Sequence, residues 1–146
     1  MTEFFSTKFT NAALADGESV GITETGTLGE TIAFGEPVYF KTADSKWWLA
    51  KAIATATSGA VKIGICTVGG AANATGTILL YGKIRADSLF PAMTIGAPVF
   101  LDAANFGRVV VAAPTGTTGF VVRIMGYANT ADELFFNPST SYMELA

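Results

Sequence analysis

The sequence predicts an all-β protein, a compact barrel- or sandwich-like domain made of two related β units and preceded by an extended N-terminal arm. Three observations lead there. First, the chain repeats itself at one offset of 61 residues: Gly35-Glu36-Pro37-Val38-Tyr39-Phe40 returns as Gly96-Ala97-Pro98-Val99-Phe100-Leu101, Ala43-Asp44 as Ala104-Asn105, and Val61-Lys62-Ile63 as Val122-Arg123-Ile124. Second, short apolar runs alternate with period two between Gly, Pro and Asn punctuation, the mark of half-buried strands. Third, convincing helical periodicity is nearly absent. A repeat of this length points to architecture, because each unit offers an apolar face that cannot be buried alone and the pair closes one core. The alternative is that G-x-P-V is common punctuation ahead of a strand and recurs by chance.

Residues 1–34 are rich in Thr, Gly and Glu and lie outside the repeat. They read as an arm leading into a first strand, with Phe4, Phe5 and Phe9 either docking on a partner or packing as a terminal strand on the chain's own core. Residues 35–146 form a single β domain, with repeat units at about 35–68 and 96–128. Val38-Tyr39-Phe40 turns at Ala43 to Lys46, and Trp47-Trp48-Leu49-Ala50 begins the return strand. Trp48 to Thr57 fits a short helix or a strand running into a loop. Val61, Ile63 and Ile65 share one face. In the long run that follows, Ile78, Leu80, Gly82 and Ile84 are expected on one face and Thr77, Leu79, Tyr81, Lys83 and Arg85 on the other, with Gly82 marking a bulge. The second unit repeats the plan through Pro98 to Leu101, a turn at Ala103 to Gly107, Arg108 to Val111, and a strand with Val122, Ile124, Gly126 and Ala128 on one face. The last strand, Leu134 to Phe136, stops at Asn137-Pro138, where proline removes a donor.

At 146 residues one domain suffices. Only 14% of residues are charged, against roughly 25% in an ordinary soluble domain, which predicts that part of the exterior is hidden in an assembly. A net charge of −3 and a pI near 4.8, with no basic cluster, argue against nucleic acid. No apolar run approaches the roughly 18 residues of a membrane span, and Met1-Thr2-Glu3-Phe4-Phe5 lacks the basic start of a secretion signal.

Catalytic chemistry is missing from the expected pattern. The chain has no histidine and one cysteine, Cys66, which reads as a buried strand thiol. Nucleotide-binding, nucleophile-elbow and C-x-x-C motifs are absent. Asp16, Glu18, Glu24, Glu30 and Glu36 read as solvated loop charges rather than a glycosidase pair, and Asp132-Glu133 lacks the spacing of a calcium loop. The expectation is a non-enzyme with no catalytic residue, cofactor or metal. Of Trp47 and Trp48, one indole is expected in the core and the other at a subunit or shell contact; a sugar platform is the other use of the outward ring.

The run Gly35-x-Pro37-Val38-Tyr39, Trp47-x-Leu49-Ala50, Gly76-x-Ile78-x-Leu80-x-Gly82, Leu89, Gly96-x-Pro98-Val99-Phe100, Gly126-Tyr127-Ala128 and Leu134-Phe135-Phe136-Asn137-Pro138 resembles small tailed-bacteriophage capsid decoration proteins and related phage head and fibre modules. The resemblance covers residues 35 to about 142. It implies a β-tulip-type body, a place on the outside of the virion after assembly in the host cytoplasm, and the major capsid protein as partner. It also implies a homo-oligomer, most plausibly a trimer, that cements the shell. The arm would run from Met1 to about Gly21, with Phe4, Phe5 and Phe9 on the capsid. The runner-up is a head or tail fibre or spike module that binds host-surface carbohydrate.

Overall fold

Gly35 and Gly96 open their units in the same way. In the computed structural model, which describes residues 13–146, they take φ of +88° and +80°, a region that glycine enters without the penalty of a Cβ. The Gly35 N–H donates to the Cys66 carbonyl at 2.8 Å, and the Gly96 N–H donates to that of Ala128 at 2.8 Å. The turns just before them also match: Glu36 N–H reaches the Ala33 carbonyl at 3.3 Å, and Ala97 N–H reaches that of Thr94 at 3.0 Å.

The strand order repeats as well. In the first unit β2 (Pro37–Lys41) lies between β3 (Lys46–Leu49) and β4 (Ile63–Val68). In the second, β6 (Pro98–Leu101) lies between β7 (Val109–Val110) and β9 (Ile124–Ala128), and every pairing is antiparallel. Val38 faces Gly64 where Val99 faces Gly126. The partner has moved one position beyond the sequence offset because pairing jumps from Val99–Gly126 to Phe100–Ile124, leaving Met125 as an inserted bulge residue.

Two further strands join the units into one curled, half-barrel antiparallel sheet. β5 (Thr75–Arg85) pairs with β4 at Thr77 to Leu79 and with β10 (Glu133–Phe136) at Gly82 to Arg85; β10 then pairs with β9. β1 (Ser19–Thr27) follows β5 from Ile84 to Thr75. A strand has two hydrogen-bonding edges, so with β1 holding one of them, β4 and β10 share the other end to end. A small separate sheet pairs β8 (Val121–Val122) with β11 (Met143–Glu144). The stretch after β3 becomes a loop and a single helical turn, α1 (Thr55–Ser58), whose Thr57 and Ser58 hydroxyls bond back to the Ala54 carbonyl.

Each unit has a front and a back, since residues directly opposite in a sheet share a face. The front of the first unit, Tyr39, Ile63 and Ile65, packs into the main core, and what meets it there is the back of the second unit, Val99, Val109 and Ala128. Equivalent faces therefore do not meet: the units stack front to back. The back of the first unit, Val38, Trp47 and Cys66, is covered by Leu28 and Ile32 to form a second, smaller core. β5 serves both cores, and its alternation breaks where pairing with β1 jumps from Tyr81 to Leu79, leaving Leu80 as the bulge. Ile78 faces the small core while Leu79 and Ile84 face the main one. The sequence expectation of one face for Ile78, Leu80, Gly82 and Ile84 is corrected accordingly, and Gly82 is not the bulge. It faces Gly21 across the ribbon, where an added Cβ would stand 2.2 Å from the Val20 carbonyl oxygen.

The body also reaches further toward the N-terminus than the sequence suggests. Leu14 is buried, and Ser19 to Gly21 already belong to β1. Leu14 and Ser19 to Gly21 are thus part of the body rather than of an arm running to about Gly21; Phe4, Phe5 and Phe9 lie outside the described residues.

Candidate functional site

The tandem tryptophans divide as strand alternation requires. Trp47, 1% exposed, fills the small core and meets Phe40 edge to face, ring centroids 5.2 Å apart. Gly26 lies so close to its indole that a Cβ there would stand 2.5 Å from Nε1. Trp48, on the edge strand β3, is half-buried. Its Nε1 donates to Asp44 Oδ2 at 3.1 Å, the Lys41 ammonium stands 4.6 Å from its ring centroid, and Gly29 lies against the ring. Trp48 is the outward indole, and its polar handle is already satisfied within the chain.

Where the described chain begins, Leu14 is gripped on three sides. Its N–H donates to Glu133 Oε1 at 3.1 Å, its carbonyl accepts from Arg85 Nη1 at 3.1 Å, and its side chain is 3% exposed. Glu133 accepts also from Asn129 at 2.9 Å and lies 3.8 Å from the Lys83 ammonium; Arg85 forks onto Asp87 at 2.8 and 2.9 Å. That fork holds the Asp87 carboxyl below the usual carboxylate range. The sequence offered no signal for this anchor, because its partners lie 71 and 119 positions away.

The front of the second unit is less buried than that of the first. It is the face equivalent to Tyr39, Ile63 and Ile65, yet Phe100 and Ile124 are only half-buried and Tyr127 is 45% exposed. The apolar surface continues across β10 and β5 through Phe135 and Tyr81, whose rings meet edge to face at 5.2 Å, to Ile22 on β1, 57% exposed. At its other end, past Val110, lies an apolar cavity of about 310 Å³ that includes Pro114 and Phe120. The alternation of Phe135 against Leu134 and Phe136 could have marked Phe135 as outward-facing; its continuation across five strands depends on the fold.

Cys66 is fully buried, and burial, with the Glu36 charge, pushes its thiol up to about 11. Four acidic residues of the N-terminal third accept backbone N–H bonds rather than simply facing solvent: Glu18 and Glu36 hold local turns, accepting from Ala15 N–H at 2.7 Å and Ala33 N–H at 2.9 Å, while Glu30 and Asp16 tie distant segments, accepting from Leu49 N–H at 3.0 Å and Asp87 N–H at 2.8 Å. Among the described residues no three metal-ligating side chains cluster, and no helix is long and apolar enough to cross a membrane. Arg123 is buried without a carboxylate in its hydrogen-bond set. Nη1 donates to the carbonyls of Gly59 at 2.6 Å and Val61 at 3.1 Å, and Nε to that of Ser139 at 2.9 Å, so that it ties the turn after α1 to the C-terminal segment. Burial lowers its pKa from the ordinary arginine value.

No protein-family model matches the chain, and no curated protein matches it.

Proposed function

We propose that this chain is a non-enzymatic structural protein of a phage virion, which binds the outside of the head and cements the capsid. The observation that carries the reading is the anchor at Leu14. A leader bearing Phe4, Phe5 and Phe9 joins the body at a residue held through its N–H, its carbonyl and its side chain. A cement needs such a root, because a leader that grips the shell transmits load only if its junction with the body does not fray. The phage-protein resemblance and the charge-poor composition support the same reading. The partners are then the major capsid protein and further copies of this chain as a trimer, with Trp48 at a subunit or shell contact. Trp48 with Lys41 and Gly29 already against its indole makes a poor sugar platform, which favours cement over a carbohydrate-binding fibre module.

The test uses heads assembled without the protein. Adding the full chain should raise their resistance to heat and chelator, and Phe4→Ser/Phe5→Ser/Phe9→Ser should weaken attachment. Trp48→Ala, at a contact contributing about 2 kcal/mol, should shorten retention on dilution. A chain that binds no heads, or that binds immobilised host glycans instead, would sink the proposal.

A further inference from the structure

We propose that Arg123 and the hydroxyl-bearing segment beside it, Thr140 to Tyr142, form a binding site for a phosphate group, free or esterified. The missing counter-ion motivates this. Of the chain's three arginines, Arg85 pairs with Asp87 and Arg108 with Glu36, and both of those side chains are partly exposed. Arg123 is only 8% exposed, and its partners are all backbone carbonyls. The repeat sharpens the contrast, since the equivalent Lys62 is matched by Glu24. Tyr142 is the one titrating group whose charge acts on Arg123. A guanidinium withdrawn from water without an opposite charge is incompletely compensated, and an anion that enters beside it is screened little by solvent.

The donors left over define the ligand. Nε is used on the Ser139 carbonyl and Nη1 on those of Gly59 and Val61, whereas Nη2 has no acceptor within the described chain. Among the described residues no enclosed side-chain nitrogen lacks a partner, so Nη2 reaches the surface. A carboxylate is gripped best by two neighbouring nitrogens in parallel, and here one nitrogen of each such pair is already occupied. Nη2 instead offers two diverging N–H groups from a single atom, which suits a group whose remaining oxygens find donors elsewhere. Such donors stand nearby. Ser139 N–H donates to the Ile124 carbonyl at 2.9 Å and Met143 pairs with Val122, so residues 140–142 run past Arg123. Thr140, Ser141 and Tyr142 are exposed, and their three hydroxyls make no bond to the described chain. A tetrahedral phosphate has enough acceptor oxygens to use both sets. The site concerns the chain alone and stands whether or not a phage head is its partner.

The Nε–Hε resonances of the three arginines test it in the full chain, each assigned through its own backbone amide. Titration with inorganic phosphate, against sodium chloride of equal ionic strength, should carry the Arg123 signal to saturation with a midpoint of about 1–10 mM, and acetate should need about fivefold more. In Thr140→Val/Ser141→Ala/Tyr142→Phe, which keeps the guanidinium and alters only exposed positions, the phosphate midpoint should rise about tenfold. Glycerol 2-phosphate distinguishes the sources: binding as tight as that of inorganic phosphate supports an esterified group as ligand, and loss of binding supports the free ion. A shift that never saturates, equal movement of the Arg85 and Arg108 signals, acetate as tight as phosphate, or an unchanged midpoint in the hydroxyl-free variant overturns the proposal.

Discussion

At the scale of single residues, burial decides what the polar groups do. Arg123 supplies donors to backbone carbonyls that have left water, and removing it leaves those acceptors unmatched at about 1–3 kcal/mol each. Arg123→Met should therefore lower stability by about 2–4 kcal/mol in urea titration, and Arg123→Lys should recover little, since an ammonium cannot reproduce the planar fork. The repeat places Arg123 opposite Lys62, whose ammonium instead pairs with Glu24 on the surface, so equivalent positions have diverged into a clamp and an exterior charge. Cys66 gives a pH prediction. Its folded pKa, about 11, exceeds the ordinary thiol value of 9.0. The neutral thiol is thus favoured by folding, and the associated stability is fully present below pH 9 and lost as pH rises toward 11. Stability should fall by up to about 2 kcal/mol across that window through this group, and the extra slope relative to Cys66→Ala isolates it from other titrating residues. Equal slopes in the two proteins would refute the assignment.

At the scale of elements, close backbone approach explains where glycine is required. Gly21 and Gly82 face one another across the β1–β5 ribbon, and a Cβ on either would stand 2.1 or 2.2 Å from a carbonyl oxygen. Gly82→Ala should cost about 2–4 kcal/mol by forcing the ribbon apart, measured as a lower unfolding midpoint with faster amide exchange along β1 and β5. Gly96→Ala, where nothing lies within 4 Å of an added Cβ, should cost only the strain of its positive φ, about 1 kcal/mol. These contacts also show what the sequence could convey. The β runs, the hairpin at Ala43 to Lys46 and the inward–outward split of Trp47 and Trp48 follow from local spacing. The single-residue bulges at Leu80 and Met125 do not, because a bulge changes which face every later residue occupies without altering composition or hydrophobicity. Period-two reading therefore holds within each half of β5 and fails across its middle.

At the scale of the whole molecule, the 61-residue offset carries the shared strand order, while the front-to-back stacking of the units, and hence the lesser burial of the second unit's front, arises only when β5 and β10 join them. The N-terminal boundary is a tertiary property of the same kind. Nothing in Ala12-Ala13-Leu14-Ala15 distinguishes an anchor from a leader; Glu133 and Arg85 do, from distant strands. This fixes where the chain tolerates truncation. A chain beginning at Ala13 keeps Leu14, the whole of β1 and both hydrogen bonds at the root, so it should still fold. A chain beginning at Thr23 loses Leu14 and the pairings of Ser19 to Ile22 with Ile84 to Tyr81. It also strips Glu133 and Lys83, both under a tenth exposed, of the segment beside them. Burying a leucine contributes about 2 kcal/mol, and four strand residues add their ladder bonds, so the loss should reach about 3–5 kcal/mol, a large part of what a domain of this size possesses. Leu14→Ala in the full chain should account for about 2–3 kcal/mol of it. Thermal unfolding of the three proteins decides the matter: if the chain from Thr23 melts with the full chain, Leu14 is no anchor, and the leader's root lies further along β1.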